Sequence, residues 1–209
     1  MYSVRIIRCY AGMIAALVTL TLVTAHAANE PDPGTDQQDR VRLVQSPKPV
    51  PDFSLTDQDG GAFAFSNLRG RTALVFFGFT NCRSVCPPTM QKLRQVHRSL
   101  DAENVSITVV FVSVDGERDT PAAMKEYLAP FTPGFIGLTG EPRVVRDIAA
   151  TFPAVFFKGM PTDTEGGYDV EHSSQVYLVD KEGQFRATFY NAAAHVMAEA
   201  TRRIIEQER

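Results

Sequence analysis

The sequence predicts an α/β domain in which helices flank a central mixed β-sheet. Two unbroken apolar runs, Thr72 to Phe79 and Ile107 to Val114, are rich in β-branched and aromatic residues, as buried strands of parallel sheets are. A segment with helical spacing of apolar residues follows each run, which gives the strand and helix alternation of an α/β fold. Near the C-terminus, two further strand candidates flank the turn Asp180-Lys-Glu-Gly and precede a last helix.

The first elements expected are an extra N-terminal β-hairpin and the first buried strand. Residues 52–56 and 62–65 alternate apolar with polar or small residues around Asp57-Gln-Asp-Gly-Gly, a pattern typical of a hairpin. A short turn then leads to the buried strand at 72–79. After this strand, Pro87 suits the first turn of a helix, because its missing amide hydrogen costs little there. Apolar residues at helical spacing extend this helix to Leu100.

The second half of the chain continues the alternation. After the strand at 107–114, Thr120 can cap a helix that has Pro121 at its first position. The remaining elements expected are a strand at 135–138, a helix at 141–151, strands at 154–158, 175–179 and 184–190, and a last helix capped by Asn191 that ends near Gln207. This order, with its closing hairpin and helix, resembles a thioredoxin-like fold with the extra hairpin added at the N-terminal side.

The N-terminus has the features of an export signal. Arg5 and Arg8 precede the apolar segment Cys9 to Val23, and Ala25-His-Ala supplies small residues at the positions that a signal peptidase reads. We therefore expect residues 1–27 to be a signal peptide and the protein to be periplasmic. The alternative is an uncleaved anchor in the inner membrane facing the periplasm, although 15 apolar residues are short for a span of about 20.

Composition suggests a flexible linker at residues 28–48, which hold Pro, Asp, Gln and Gly but few apolar residues. The folded domain is then expected at residues 49–209.

Loss of a signal with two arginines changes the formal net charge from -3 to -5. A mildly acidic chain gives no electrostatic reason to expect a nucleic-acid partner. Nothing resembles a dedicated dimer seam, so we expect a monomer.

Cys82 and Cys86 lie where the first buried strand meets a helix N-terminus, and they are the only cysteines after the signal. The helix dipole and the free amides of the first turn favour thiolate over thiol. Spacing of i, i+4 can turn both sulfurs to one side, with Cβ atoms about 5 to 6 Å apart in a helix. The pair could chelate one soft metal ion, or form a disulfide that is either structural or redox-active.

His172 is the candidate for a third ligand. It lies in the loop before the strand at 175–179, and in a thioredoxin-like fold this loop faces the cysteine turn. A neutral imidazole there would complete a two-sulfur, one-nitrogen set that suits copper better than magnesium or calcium. Ordinary thioredoxin-like oxidoreductases have a cis-proline in this loop, whereas this chain has Ser173, Ser174 and Gln175. That departure weakens the interpretation as a disulfide-exchange enzyme.

Other residues near these motifs are expected to have structural roles rather than to bind a metal. The charged turn Asp115-Gly-Glu-Arg-Asp is expected to be a solvated turn that ends in a helix cap, with a position near the cysteine loop as the alternative. Met90 is expected in the core and His97 at its boundary. Asp169 and Glu171 could orient the imidazole of His172 through its second nitrogen.

Three ordered motifs resemble the Sco/SenC family of copper proteins over roughly Pro49 to Glu206. They are Gly78-Phe-Thr-Asn-Cys-Arg-Ser-Val-Cys-Pro, Val112-Ser-Val-Asp-Gly-Glu-Arg-Asp-Thr-Pro, and Glu171-His-Ser before Val-Tyr-Leu-Val-Asp. The chain departs from the family pattern at Arg83 and Ser84, where many members have Pro and Asp. It departs again at Gly116, where proline is frequent.

The resemblance implies that Cys82, Cys86 and His172 bind one copper ion, as Cu(I) or Cu(II). It implies a periplasmic metallochaperone rather than an enzyme, with no catalytic residue. Its partners would be the copper-bearing subunit of cytochrome c oxidase and other periplasmic copper chaperones. A disulfide between the two cysteines would remove two ligands, which couples copper loading to thiol redox state. Two alternatives stay open: a thiol:disulfide oxidoreductase that reduces the cysteines of the oxidase subunit, and a copper or redox sensor.

Overall fold

The computed structural model describes residues 40–131, 134–161 and 167–208, all within one compact unit that spans Asp32–Arg209. In chain order its strands and helices are β1 (Val41–Pro49), β2 (Ser54–Asp57), β3 (Ala62–Ala64), a 3₁₀ helix (Phe65–Leu68), β4 (Thr72–Gly78), α1 (Cys86–Asp101), β5 (Ile107–Ser113), α2 (Pro121–Leu128), β6 (Phe135–Thr139), α3 (Pro142–Ala149), β7 (Phe156–Pro161), β8 (Tyr168–His172), β9 (Val176–Val179), β10 (Gln184–Phe189) and α4 (Ala194–Gln207).

A mixed eight-stranded sheet forms the centre of the domain, in the order β1-β10-β9-β4-β5-β6-β2-β3. β4, β5 and β6 run parallel, whereas the remaining neighbours are antiparallel. Every residue of β4 and β5 is buried, which explains their unbroken apolar sequence. α1 contacts β5 and α4, and α2 contacts β6. The predicted α/β fold, with a mixed central sheet flanked by helices and an added hairpin, is confirmed.

Strand β1 corrects the predicted domain boundary. Residues 41–48, which the composition assigned to a flexible linker, form most of β1 and pair antiparallel with β10 at the edge of the sheet. Only Val41 and Val44 in this strand are even half-buried. Because backbone hydrogen bonds rather than buried side chains hold the strand, it leaves little hydrophobic pattern in the sequence. The predicted signal peptide or anchor at 1–27 lies outside the described residues, as does the rest of the linker up to residue 39.

The β7–β8 hairpin is a second difference from the sequence prediction. Residues 168–172 were expected to be loop but form β8, which pairs with β7 in a separate two-stranded sheet. His172 is therefore the last residue of a strand, opposite Phe156. In the part of the chain that the structure describes, no helix is long and apolar enough to cross a membrane.

Candidate metal centre

The two cysteines occupy the turn between β4 and α1, as the sequence predicted. Cys86 is the first residue of α1 and is fully buried, while Cys82 lies in the preceding turn and is 7% exposed. Proline in the first turn of α1 leaves fewer unpaired amide groups at this helix end. Both thiols are free. The central strand and the helix therefore place both sulfurs at the carboxyl end of β4.

His172 meets both sulfurs from the β7–β8 hairpin. Its Nε2 atom lies 3.5 Å from Cys86 Sγ and 3.9 Å from Cys82 Sγ. The three candidate ligand atoms all lie within 4.8 Å of one another. The fold thus brings together the three residues named from the sequence, although about 90 positions separate His172 from the cysteines.

These distances can be compared with those that one metal ion requires. For bonds of about 2.3 Å to sulfur and about 2.0 Å to nitrogen, a sulfur and a nitrogen on one ion stand about 3.5 to 3.8 Å apart. The observed separation of 3.5 Å from Cys86 lies within this range, and that of 3.9 Å from Cys82 lies just above it. Two thiolates and one imidazole are soft and borderline donors, so the residues fit a soft ion bound without large rearrangement.

A backbone carbonyl fixes the orientation of the imidazole. The Nδ1 atom of His172 lies 3.0 Å from the carbonyl oxygen of Ser173, and because a carbonyl only accepts, Nδ1 carries the proton of this bond. Nε2 is thereby turned toward the sulfurs. In the neutral ring it offers a metal its lone pair, and in the imidazolium form it can donate a proton to a sulfur. The ring also packs edge-on against Phe79 and Phe76, with centroids 5.6 and 6.0 Å away.

Asp169 and Glu171 do not orient this imidazole. Strand residues alternate between faces, so Tyr168, Val170 and His172 share one face of β8 while both acidic side chains are exposed on the other. Ser173 performs the orienting role instead. Its hydroxyl accepts from the amide of Val155 and donates to the carbonyl of the same residue. No sequence pattern indicates this contact, because any residue supplies a carbonyl.

The two thiols differ in their acidity. Burial acts to raise the pKa of Cys82, but hydrogen bonds from His172 and from the backbone amides of Cys86 and Ser84 outweigh burial and lower this pKa to about 6. Burial and the neighbouring Cys82 raise the pKa of Cys86 well above its ordinary value. Cys82 is therefore the thiolate of the pair at neutral pH, and Cys86 keeps its proton.

The charged turn at 115–119 lies beside the cysteine loop, so its interpretation as a solvated turn is wrong for both aspartates. Asp115 is 4% exposed and Asp119 is fully buried. The Asp119 carboxylate accepts hydrogen bonds from the amide and hydroxyl of Thr80, at 2.9 and 2.6 Å, and from the Ser113 hydroxyl at 2.6 Å. Burial raises the pKa of Asp119. Thr80 stands two residues before Cys82, so Asp119 holds the start of the cysteine turn.

Other sequence predictions near the site are also decided by the structure. Thr120 caps α2 through its hydroxyl, as predicted. Met90 is fully buried in the core, and His97 is half-buried against Phe135. The structure explains why this chain has glycine at position 116, where the family often has proline. A Cβ atom there would lie 1.9 Å from the carbonyl oxygen of Gly140. That close approach of two backbones requires glycine.

Fold and site together define a thioredoxin-like protein in which a central strand, a helix and a hairpin bring a cysteine pair to a histidine. The chain belongs to the SCO1/SenC family, whose model matches residues 42–206. This match confirms the resemblance drawn from the three sequence motifs.

Similar proteins extend this assignment. An SCO2-like protein of Rickettsia conorii is 38% identical over 139 residues, which are 66% of this chain and 68% of the relative. The structure of Bradyrhizobium japonicum ScoI with copper bound is 34% identical, has a TM-score of 0.67, and the match covers 75% of this chain and 99% of that one. A second similar structure is that of BsSco, which is 25% identical and has a TM-score of 0.61, over 77% of this chain and 96% of that one. BsSco is a member of the Sco family of cytochrome c oxidase assembly proteins, and a disulfide switch was identified in it.

Proposed function

We propose that this protein is a copper metallochaperone for assembly of the copper centre of cytochrome c oxidase, and that it binds one copper ion through Cys82, Cys86 and His172. The observation that carries the proposal is the convergence of two sulfurs and one imidazole nitrogen within 4.8 Å in a member of this family. Copper bound to the related ScoI supports the choice of metal. The function is delivery of an ion, so we do not assign an enzymatic reaction.

The three donors suit copper in both of its oxidation states. Soft thiolates favour Cu(I), and the imidazole permits Cu(II). Since Cys82 is already a thiolate at neutral pH, binding needs to release only the proton of Cys86 and any proton on His172 Nε2. Cys86 is sealed in the core, whereas the neighbouring residues 83–85 are exposed. A docking oxidase subunit would therefore reach the ion from the side of Cys82.

Thiol oxidation offers a way to couple copper loading to redox state. Formation of a Cys82–Cys86 disulfide removes two electrons and two protons from the thiols, and a disulfide-bearing acceptor protein would take both. The ion would then lose two of its three ligands. The disulfide switch of BsSco supports this coupling.

The unequal acidity of the two thiols favours a second candidate function, dithiol reduction of the oxidase subunit. The Cys82 thiolate would attack a sulfur of the target disulfide, and Cys86 would then displace the target thiolate and close its own disulfide. This activity would need no copper. His172→Ala would slow it, because the hydrogen bond that lowers the pKa of Cys82 is lost, but would not abolish it.

A Cu(I) titration tests the primary proposal. The protein is purified, fully reduced under anaerobic conditions and titrated with Cu(I) against a chromophoric competitor. We expect one tightly held equivalent, at least about tenfold weaker binding by His172→Ala, and unchanged binding by His195→Ala, whose histidine is exposed on α4. If the native protein and His172→Ala bind equally weakly, the copper proposal fails and the reductase becomes the better candidate.

The partner and the compartment need experiments in cells. Deletion of the gene should abolish cytochrome c oxidase activity if the protein is a chaperone, whereas a sensor would leave the assembled oxidase intact. We place the protein in the periplasm because residues 1–27 have the pattern of an export signal. Protease added to spheroplasts should then degrade it, with a cytoplasmic protein as the protected control.

A further inference from the structure

Arg118 joins the charged turn to the hairpin that carries His172. Its Nε donates to Asp115 Oδ2 at 2.5 Å, and its Nη1 donates to the carbonyl oxygen of Tyr168 at 3.0 Å. The guanidinium lies 3.8 Å from the centroid of the Tyr168 ring. The Tyr168 hydroxyl donates in turn to Asp115 Oδ1 at 2.5 Å. Arginine, aspartate and tyrosine therefore form a closed set of contacts between the turn and the first residue of β8.

The hairpin needs such an attachment because, among the residues that the structure describes, β8 pairs only with β7, in a sheet separate from the central one. A two-stranded hairpin is at best marginally stable by itself. Tyr168 and His172 are the first and last residues of β8 and lie on the same face of it. Fixing Tyr168 against the turn therefore limits the tilt of the strand that carries the imidazole.

Two further observations connect Arg118 with the site. Its guanidinium lies 5.9 Å from the Phe79 ring, and Phe79 packs edge-on against His172. The ion pair that joins turn and hairpin directly, Lys158 with Glu117, is about half exposed on both sides and contributes little. The Arg118–Asp115 pair lies within the turn, with only 27% and 2% of its side chains exposed, and both of its members hydrogen-bond to Tyr168. The contacts of this pair with Tyr168 are therefore the stronger attachment of the hairpin.

We propose that Arg118 is a positioning residue that holds the β7–β8 hairpin, and with it His172, at the distance from the cysteines that metal binding requires. Asp119, in the same turn, holds the cysteine side through Thr80. The turn at 115–119 thus sets the separation of the two halves of the site. The inference rests on the proposed function in so far as the three residues bind copper.

A double-mutant cycle separates positioning from general stabilisation. Cu(I) affinity is measured for Arg118→Gln in the native background and in His172→Ala. Arg202→Gln is the matched control, because it removes the ion pairs of an α4 arginine with Glu103 and Glu199. We expect Arg118→Gln to weaken binding about 10- to 100-fold in the native background and to have little effect once the imidazole is gone. The control should change neither background. Equal losses in both backgrounds, or no loss in either, overturn the proposal.

A second measurement uses the reduced protein without copper. Hydrogen exchange of the backbone amides in β7 and β8 should be at least about tenfold faster in Arg118→Gln than in the native protein. If Arg118→Gln does not fold, Tyr168→Phe removes only the hydroxyl, with its bonds to Asp115 and Glu117, and should produce the same change to a smaller degree. Unchanged exchange overturns the inference. A different outcome is that the native protein binds no Cu(I) while the hairpin of Arg118→Gln still exchanges faster. That result contradicts the proposed function but establishes that Arg118 attaches the hairpin.

Discussion

Gly78→Ala should displace one sulfur of the candidate site. Gly78 is the last residue of β4, and a Cβ atom there would lie 2.8 Å from Cys86 Sγ and 2.7 Å from a ring carbon of Phe111. Ordinary contacts are about 3.5 to 4.0 Å, so the sulfur must retreat by about 0.7 Å or more. Metal-ligand distances tolerate only about 0.2 Å. Overpacking of the core should also destabilise the fold by about 1 to 3 kcal/mol.

Gly137→Ala is the matched control, because it overpacks the core to a similar degree without a sulfur ligand among its nearest neighbours. Its added Cβ would lie 2.6 Å from a methyl carbon of Leu128 and 2.9 Å from the methyl carbon of Met124. Thermal unfolding should show comparable losses for both variants, about 2 to 4 °C per kcal/mol. Anaerobic Cu(I) titration should show at least about tenfold weaker binding for Gly78→Ala alone. Native affinity in Gly78→Ala, or equal weakening in both variants, would refute the reasoning that Gly78 makes room for the sulfur.

Two further predictions concern ionisable groups. In the reduced protein without metal, iodoacetamide should modify Cys82 with a half-maximal rate near pH 6 and leave Cys86 unmodified. The reason is that the pKa of Cys82 is lowered whereas that of Cys86 is raised. Mass spectrometry of samples treated between about pH 5 and 9 measures the modification of each cysteine. One shared curve near the ordinary thiol value would contradict the assignment. Asp119→Asn should destabilise the reduced protein by about 1 to 3 kcal/mol, because an amide donor replaces an oxygen that accepts from Thr80 or Ser113. Chemical denaturation measures this loss, and an unchanged midpoint would show that those hydrogen bonds contribute nothing.

Much of the central sheet could be predicted because its signal is local. β4 and β5 are buried on both faces, so burial requires an unbroken apolar run that can be seen in the sequence. β1 is held mainly by backbone hydrogen bonds at exposed positions, where nearly any side chain is tolerated, and β8 is held by pairing with β7 and by contacts with a turn about 50 positions away. Neither kind of contact leaves a local pattern, so the sequence predicts a linker and a loop in their place.

The sequence by itself determined the chemistry of the candidate site. Two cysteines four positions apart at the end of an apolar run, with one histidine in a separate motif, defined the donor set before any distance was known. Their position after the apolar run also predicted that both cysteines would lie where this strand meets a helix N-terminus. That location is as predicted, because strand, cysteine pair and helix are contiguous in the chain.

Only the tertiary structure decided how that chemistry is arranged. The position of His172 Nε2 against both sulfurs, the Ser173 carbonyl behind the ring, and the attachment of the hairpin by Arg118 all depend on contacts between segments far apart in the chain. The pKa of Cys82 likewise depends on which groups the fold places around it. Residue types specify which donors are available, but distance, burial and orientation arise only when separate segments pack together.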